Sequence, residues 1–104
     1  MGLFSAFKQN LYDITNLDRE EADSLISFFS NGWAAAACQR GGIPYDPIMT
    51  HGIVKGLRKG VLTEDELTVL IAVLEADIRQ NGGDDEEREI MLKLKQCRKA
   101  GPKR

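Results

Sequence analysis

The sequence predicts an all-α protein, a small irregular or orthogonal bundle of about five helices. Apolar residues recur at i, i+3, i+4 spacing in five segments, and glycine, proline and asparagine separate these segments. No segment shows the alternation of apolar and polar residues that is typical of strands. With 104 residues the chain has the size of one domain, predicted over 1–104 with a frayed basic tail at 100–104.

The first segment, 2–15, predicts a short amphipathic helix. Its apolar stripe consists of Leu3, Phe4, Phe7, Leu11 and Ile14. Such a stripe can dock on the bundle, lie in a membrane interface or fill a groove of another protein. Membrane-surface helices are usually rich in Lys and Arg, and this segment has only Lys8. Phe4, Phe7 and Leu11 are therefore candidate partner-binding residues.

The second segment, 18–40, predicts a central helix that other helices surround, because most of its circumference is apolar. Its inward face would comprise Ala22, Leu25, Ile26, Phe29, Trp33, Ala36 and Ala37. Asp18 and Glu21 have the spacing of a capping box at the N-terminus. Gly41 and Gly42 predict the C-terminus, since glycine adopts the left-handed conformation that closes a helix.

The third segment, 47–59, predicts a helix that begins with Asp46 as N-cap and Pro47 in the first turn. Gly52, Gly56 and Gly60 follow at intervals of four residues. Glycine inside a helix costs about 1 kcal/mol relative to alanine, so a compensating interaction is expected. Two interpretations are open: close approach to the alanines at 34–37, or a weak and irregular helix.

Two further helices are predicted over 63–80 and 85–99. Thr63 and Glu66 form a second capping box, and Asn81 with the glycines after it ends the fourth helix. This helix is expected to be heavily buried, and the last helix has a narrower apolar stripe. The apolar positions are Leu67, Leu70, Ile71, Leu74 and Ile78 in the fourth helix and Ile90, Met91, Leu94 and Cys97 in the last.

Positive charge clusters at two places. His51, Lys55, Arg58 and Lys59 form a polar stripe on the third helix, which is a candidate surface for an anion or nucleic acid. The last helix begins acidic and ends basic, as the helix dipole favours, and its basic end is a second candidate for nucleic acid. A helix-turn-helix formed by the third and fourth helices, with Gly60 in the turn, is disfavoured because its recognition helix would begin with the carboxylates at 64–66.

Searches for catalytic, metal and cofactor motifs give nothing positive. No His, Cys and carboxylate grouping has ligand spacing, and no phosphate-binding loop is present in the sequence. Cys38 is the one nucleophile of interest, and apolar surroundings would make it inert. Cys38 and Cys97 are expected to be buried thiols, with a disulfide between two helices as the alternative. We expect no enzyme activity, no cofactor and no metal.

By exclusion, the sequence predicts a cytoplasmic protein that acts by binding. The formal charge is −2, and neither a membrane span nor a signal peptide is apparent. The expected function is that of a protein-binding module, an adaptor, regulator or inhibitor whose partner is another protein or a second copy of the chain. The alternative is a nucleic-acid-associated protein that uses the basic stripe or the basic C-terminal arm.

Overall fold

A computed structural model describes residues 10–102, which contain five helices and one short antiparallel sheet. The predicted all-α fold class is confirmed, and the sheet is a minor addition to it. The elements in chain order are β1 (Leu11–Asp13), α1 (Arg19–Ser30), α2 (Trp33–Gly41), α3 (Pro47–Lys59), β2 (Val61–Thr63), α4 (Glu64–Asn81) and α5 (Asp85–Ala100).

Helix α4 is the centre of the fold. The sequence predicts that it is heavily buried, but it predicts the helix over 18–40 as the central one. It packs mainly against α2 and α5, and it also contacts α3 and both strands. The predicted capping box is confirmed: the Thr63 hydroxyl accepts from the Glu66 amide at 3.2 Å, and Glu66 Oε1 accepts from the Thr63 amide at 3.0 Å. The buried residues of α4 are Leu67, Leu70, Ile71, Val73, Leu74 and Ala76.

The predicted helix over 2–15 is wrong for residues 10–15, and residues 2–9 lie outside the described part of the chain. Tyr12 pairs with Leu62 across the two-stranded sheet, and both side chains face the core. The Asp13 side chain accepts a hydrogen bond from the Thr15 amide at 2.8 Å, a local turn that competes with helix formation. Strand alternation therefore buries Ile14 and exposes Leu11, which were predicted to share one face.

The predicted helix over 18–40 is wrong at its middle. It divides into α1 and α2 at Asn31 and Gly32, where Gly32 adopts a left-handed φ of 80°. An Asn-Gly pair is a turn signal that the apolar pattern around it concealed. As a consequence Trp33, predicted to face inward, is 62% exposed. The capping box of Asp18 with Glu21 and the ending at Gly41 and Gly42 are confirmed.

Helix α3 has its predicted bounds and cap, but its glycines contact a different neighbour. A Cβ atom on Gly56 would overlap the Val61 carbonyl oxygen and the Leu62 side chain, so this glycine lets the chain fold back directly into β2. A Cβ atom on Gly52 would meet the Glu66 carboxylate. Of the two interpretations of these glycines, close approach to the alanines at 34–37 is therefore wrong.

The β1–α1 connection is fastened to α5. Asn16 donates to the Lys93 carbonyl at 3.2 Å and accepts from the Cys97 thiol at 3.0 Å. Lys93 Nζ lies 2.8 Å from Glu21 Oε1, and the Glu21 side chain is only 8% exposed. One carboxylate thus caps α1 and binds the last helix. In residues 10–102 no helix is both long and apolar enough to cross a bilayer.

Candidate functional site

The first candidate site is a groove of about 280 Å³ between α1, α4, α5 and the start of α2. We call it the acidic groove. Its apolar lining comes from Leu25, Phe28, Trp33, Leu74 and Ile90. Its carboxylates are those of Asp77, Asp84, Glu86 and Glu87. The groove thus combines an exposed indole ring with four acidic groups, and Ser24 completes its lining.

Two local features of the chain bring these groups together. Gly82 and Gly83, both with positive φ, form the tight connection that places the end of α4 beside the start of α5. Asp84 is the N-cap of α5, and carboxylates in a first helical turn are favoured by the helix dipole. Asp77, near the end of α4, gains no such support. The connection nevertheless places it against the first turn of α5.

Glu87 is the group most affected by this crowding. Burial raises its pKa to about 8, and the hydrogen bond and repulsion from Asp77 and the charge of Asp84 act in the same direction. Arg88 opposes the shift, but its guanidinium donates to the Gly82 carbonyl at 2.5 Å. At neutral pH Glu87 is therefore mainly protonated and shares its proton with the Asp77 carboxylate.

The carboxylates of the acidic groove are held by hydrogen bonds rather than by cations. Asp77 accepts from the Asn81 side chain at 2.8 Å, and Asp84 accepts from the Glu87 amide at 2.8 Å. Glu86 accepts from the Ser24 hydroxyl at 3.0 Å, which links α1 to α5. Among residues 10–102 none of the four forms an ion pair. No positively charged side chain is among the described residues that line this groove.

The second candidate site is a larger groove, of about 540 Å³, between the end of α3, the first half of α1 and the β1–α1 connection. We call it the basic groove. Its cations are Arg19, Arg58 and Lys59, and it also includes the carboxylates of Asp18 and Asp23. Its apolar lining includes Ile14, Leu17, Ala22, Ile26 and Leu57.

The structure divides the predicted anion surface. Arg58 and Lys59 line the basic groove, whereas His51 and Lys55 are exposed on α3 and line neither groove. Of the predicted partner-binding residues, Phe4 and Phe7 lie outside the described part of the chain. Leu11 is 43% exposed on the outer side of β1.

The two cysteines are free and buried, as expected from their apolar segments. Burial raises the pKa of both thiols, and the hydrogen bond to Asn16 opposes this at Cys97. Cys38 lies by a crevice of about 80 Å³ with Phe29, Tyr45 and Met49, and His51 does not line it. Among the described residues, no three His, Cys, Asp or Glu side chains are grouped to hold a metal ion.

Sequence reasoning missed the acidic groove. From the sequence alone, helix stabilisation explains the acidic run at 84–89, and the apolar pattern predicts Trp33 in the core. The Asn31-Gly32 pair was the one signal that could have placed Trp33 at the surface. No pattern in the sequence relates Asp77 to Glu87, because their proximity depends on how α4 and α5 pack. Comparison of the chain with protein-family models, curated proteins and solved structures gives no match.

Proposed function

We propose that this protein is a protein-binding module whose acidic groove accepts a cationic side chain, Arg or Lys, of a partner protein. The observation that carries the proposal is the position of Trp33 beside four acidic side chains that form no ion pair with another described residue. A cation over an indole face gains about 0.5–2 kcal/mol, and the carboxylates add Coulomb attraction. The apolar lining from Phe28 and Leu25 contacts the aliphatic stem of the same side chain.

Exposed tryptophan is uncommon on surfaces that bind nothing, since Trp contributes large apolar area and is enriched at interface hot spots. Trp33 is 62% exposed, whereas the large apolar side chains of α1 are buried or half-buried. Its partner therefore has both an apolar surface and a positive charge. An adaptor, regulator or inhibitor of a basic protein has this recognition chemistry.

The acidic groove also couples binding to protons. A bound cation favours the ionised form of Glu87, so binding at neutral pH releases a proton from the pair that Glu87 forms with Asp77. Affinity for the partner therefore rises as pH increases toward about 8. It falls as salt concentration rises, because the rim charges are partly exposed to solvent.

Two other expectations stay proposals. Phe4 and Phe7 are proposed to extend the contact with a partner, and Phe4→Asp or Phe7→Asp would weaken association while the fold is retained. A cytoplasmic location is proposed because two free buried thiols fit a reducing compartment. Nucleic-acid binding by the stripe of His51, Lys55, Arg58 and Lys59, or by the basic C-terminal arm, stays a prediction. Asp18 and Asp23, which line the basic groove with Arg58 and Lys59, weigh against it at the stripe.

The test uses Trp33 as the reporter, because it is the single tryptophan of the chain. The probe is acetyl-Arg-Leu-Arg-Leu-amide, and the reference probe has citrulline, which is neutral and of the same shape, in place of arginine. The arginine peptide should shift Trp33 emission in a saturable way, and the citrulline peptide should bind much more weakly. Equal binding of the two peptides, or no binding by either, would contradict the proposal.

Variants locate the contact. The double change Asp77→Asn with Glu86→Gln should weaken arginine-peptide binding about tenfold, since two partly exposed ion pairs contribute up to ~1 kcal/mol each. Glu89→Gln, which removes a charge from the same helix outside the groove, should leave binding nearly unchanged. Light scattering at increasing protein concentration identifies the other occupant. A dimer in which Trp33 emission shifts without peptide would indicate that a second copy fills the groove.

A further inference from the structure

The basic groove contains three cations that no other described residue neutralises. Arg19, Arg58 and Lys59 are all exposed, and none of them forms an ion pair or a side-chain hydrogen bond within residues 10–102. They come from two different helices, α1 and α3, and line one cavity. The positive charge of this groove is thus assembled by the fold and is not a single charged helix face.

Arg19 occupies a position that is unfavourable for an isolated helix. It is the first residue of α1, where the helix dipole favours negative charge and disfavours a cation. Asp23 follows at i+4 and also lines the groove, yet the two side chains do not form an ion pair. Helix stability therefore does not explain Arg19. An anion in the groove would give its charge a favourable partner.

The wall beside these cations is apolar. Ala22 and Ile26 of α1 are half-buried, and Leu57 of α3 is buried against the core. The volume, about 540 Å³, lies in the range of small-molecule sites, about 300–1,000 Å³. A ligand that fits has one anionic group and an apolar body, since a small inorganic anion would leave the apolar wall in contact with water.

We propose that the basic groove binds a monomeric amphiphilic anion, a carboxylate or phosphate that carries an alkyl or acyl chain. The anionic group lies between Arg19 and the Arg58–Lys59 end of α3, and the chain lies along Ile26. Asp18 and Asp23 limit the site to one anionic group, because a polyanion such as nucleic acid would meet both carboxylates. This site is separate from the acidic groove, so it does not depend on the proposed protein-binding function.

The test is a calorimetric titration with decyl phosphate below its micelle concentration. Inorganic phosphate, decanol, a single-stranded oligonucleotide and anionic lipid vesicles are the comparison probes. Decyl phosphate should bind with one-to-one stoichiometry and more tightly than each of the other four. Equal binding of inorganic phosphate would show that the alkyl chain does not contribute to binding, and equal binding of decanol would show that the anionic group does not. Either result would overturn the proposal.

The variants are Arg19→Gln and the double change Arg58→Gln with Lys59→Gln, and the matched control is Lys55→Gln, on the same helix outside the groove. Each groove variant should weaken decyl phosphate binding about tenfold, which corresponds to about 1.4 kcal/mol, because it removes a charged partner of the anionic group. The control should bind like the wild type. The proposal would be overturned if Lys55→Gln weakens binding equally, or if the oligonucleotide or the vesicles bind more tightly than decyl phosphate. Circular dichroism confirms that each variant is folded.

Discussion

The acidic and basic grooves show two ways in which a small helical fold presents unneutralised charge. In the acidic groove the connection between α4 and α5 forces carboxylates against one another, and the pKa of Glu87 rises to about 8. In the basic groove three cations line a larger cavity together with Asp18 and Asp23. Crowding therefore keeps Glu87 protonated in the acidic groove, whereas the cations of the basic groove remain charged and accessible to solvent.

The different arrangement of charges determines which ligands each groove can recognise. A crowded site of one sign favours a ligand that brings the opposite charge and displaces a proton, so its binding depends on pH. The basic groove carries charges of both signs, so it favours a ligand with a single negative charge. The apolar part of that ligand contributes the remaining affinity. Two predictions follow, and each concerns one groove only. The first changes the backbone packing beside the basic groove, and the second changes the protonation of the acidic groove.

The largest effect is expected from Gly56→Ala, which acts on the basic side of the molecule. The new methyl group would overlap the Val61 carbonyl and the Leu62 side chain, and a backbone atom cannot move aside cheaply. The free energy of unfolding should fall by about 1–3 kcal/mol through overpacking. Denaturant unfolding measures it. Because the end of α3 must shift, decyl phosphate binding should weaken, while arginine-peptide binding at the acidic groove should persist.

Gly52→Ala is the matched control for this prediction. Its methyl group meets only the Glu66 carboxylate. The higher helix propensity of alanine offsets the weakening of the capping hydrogen bond from the Thr63 amide, so the stability should stay within about 1 kcal/mol of the wild type. Equal destabilisation by the two changes would contradict the prediction that the close contact of α3 with β2 makes Gly56 specifically intolerant of a side chain.

A smaller effect, specific to the acidic groove, is expected from Glu87→Gln. The raised pKa means that the folded protein keeps a proton that the unfolded chain releases between the ordinary value of 4.5 and about 8. The free energy of unfolding of the wild type therefore decreases as pH rises through this window. Glutamine keeps the hydrogen bond to Asp77 and carries no charge, so the variant should lose this decrease.

Thermal unfolding across the same pH window provides the measurement. The melting temperature of Glu87→Gln relative to wild type should rise with pH and then level off above about 8. Glu89→Gln should show a difference that does not change with pH. A Glu87→Gln difference that is equally constant would mean that Glu87 is not crowded.

Local signals in the sequence predict much of this fold. The predicted caps at Asp18, Asp46 and Thr63 are all confirmed, because each depends on residues within one turn of the chain. The errors come from tertiary contacts. Residues 11–13 have a helical apolar pattern, yet hydrogen bonds to the segment after Gly60 make them a strand.

The candidate site was less predictable than the fold. The Arg58 and Lys59 cluster was recognised from the sequence, but its partner Arg19 comes from another helix and has no sequence relation to it. The acidic groove was missed because it depends on the break at Gly32 and on the packing of α4 against α5. Sites assembled from distant segments require the three-dimensional contacts, whereas caps and turns do not.

We claim that Glu87 holds a proton in the acidic groove and releases it when a cation binds. A carbon-13 NMR titration of the Glu87 side-chain carboxyl, with and without saturating arginine peptide, tests this most directly. The Glu87 carboxyl should titrate with a pH midpoint of about 8 in the free protein and with a lower midpoint when the peptide is bound. A free midpoint near the ordinary value of 4.5, or a midpoint that the peptide leaves unchanged, would contradict it.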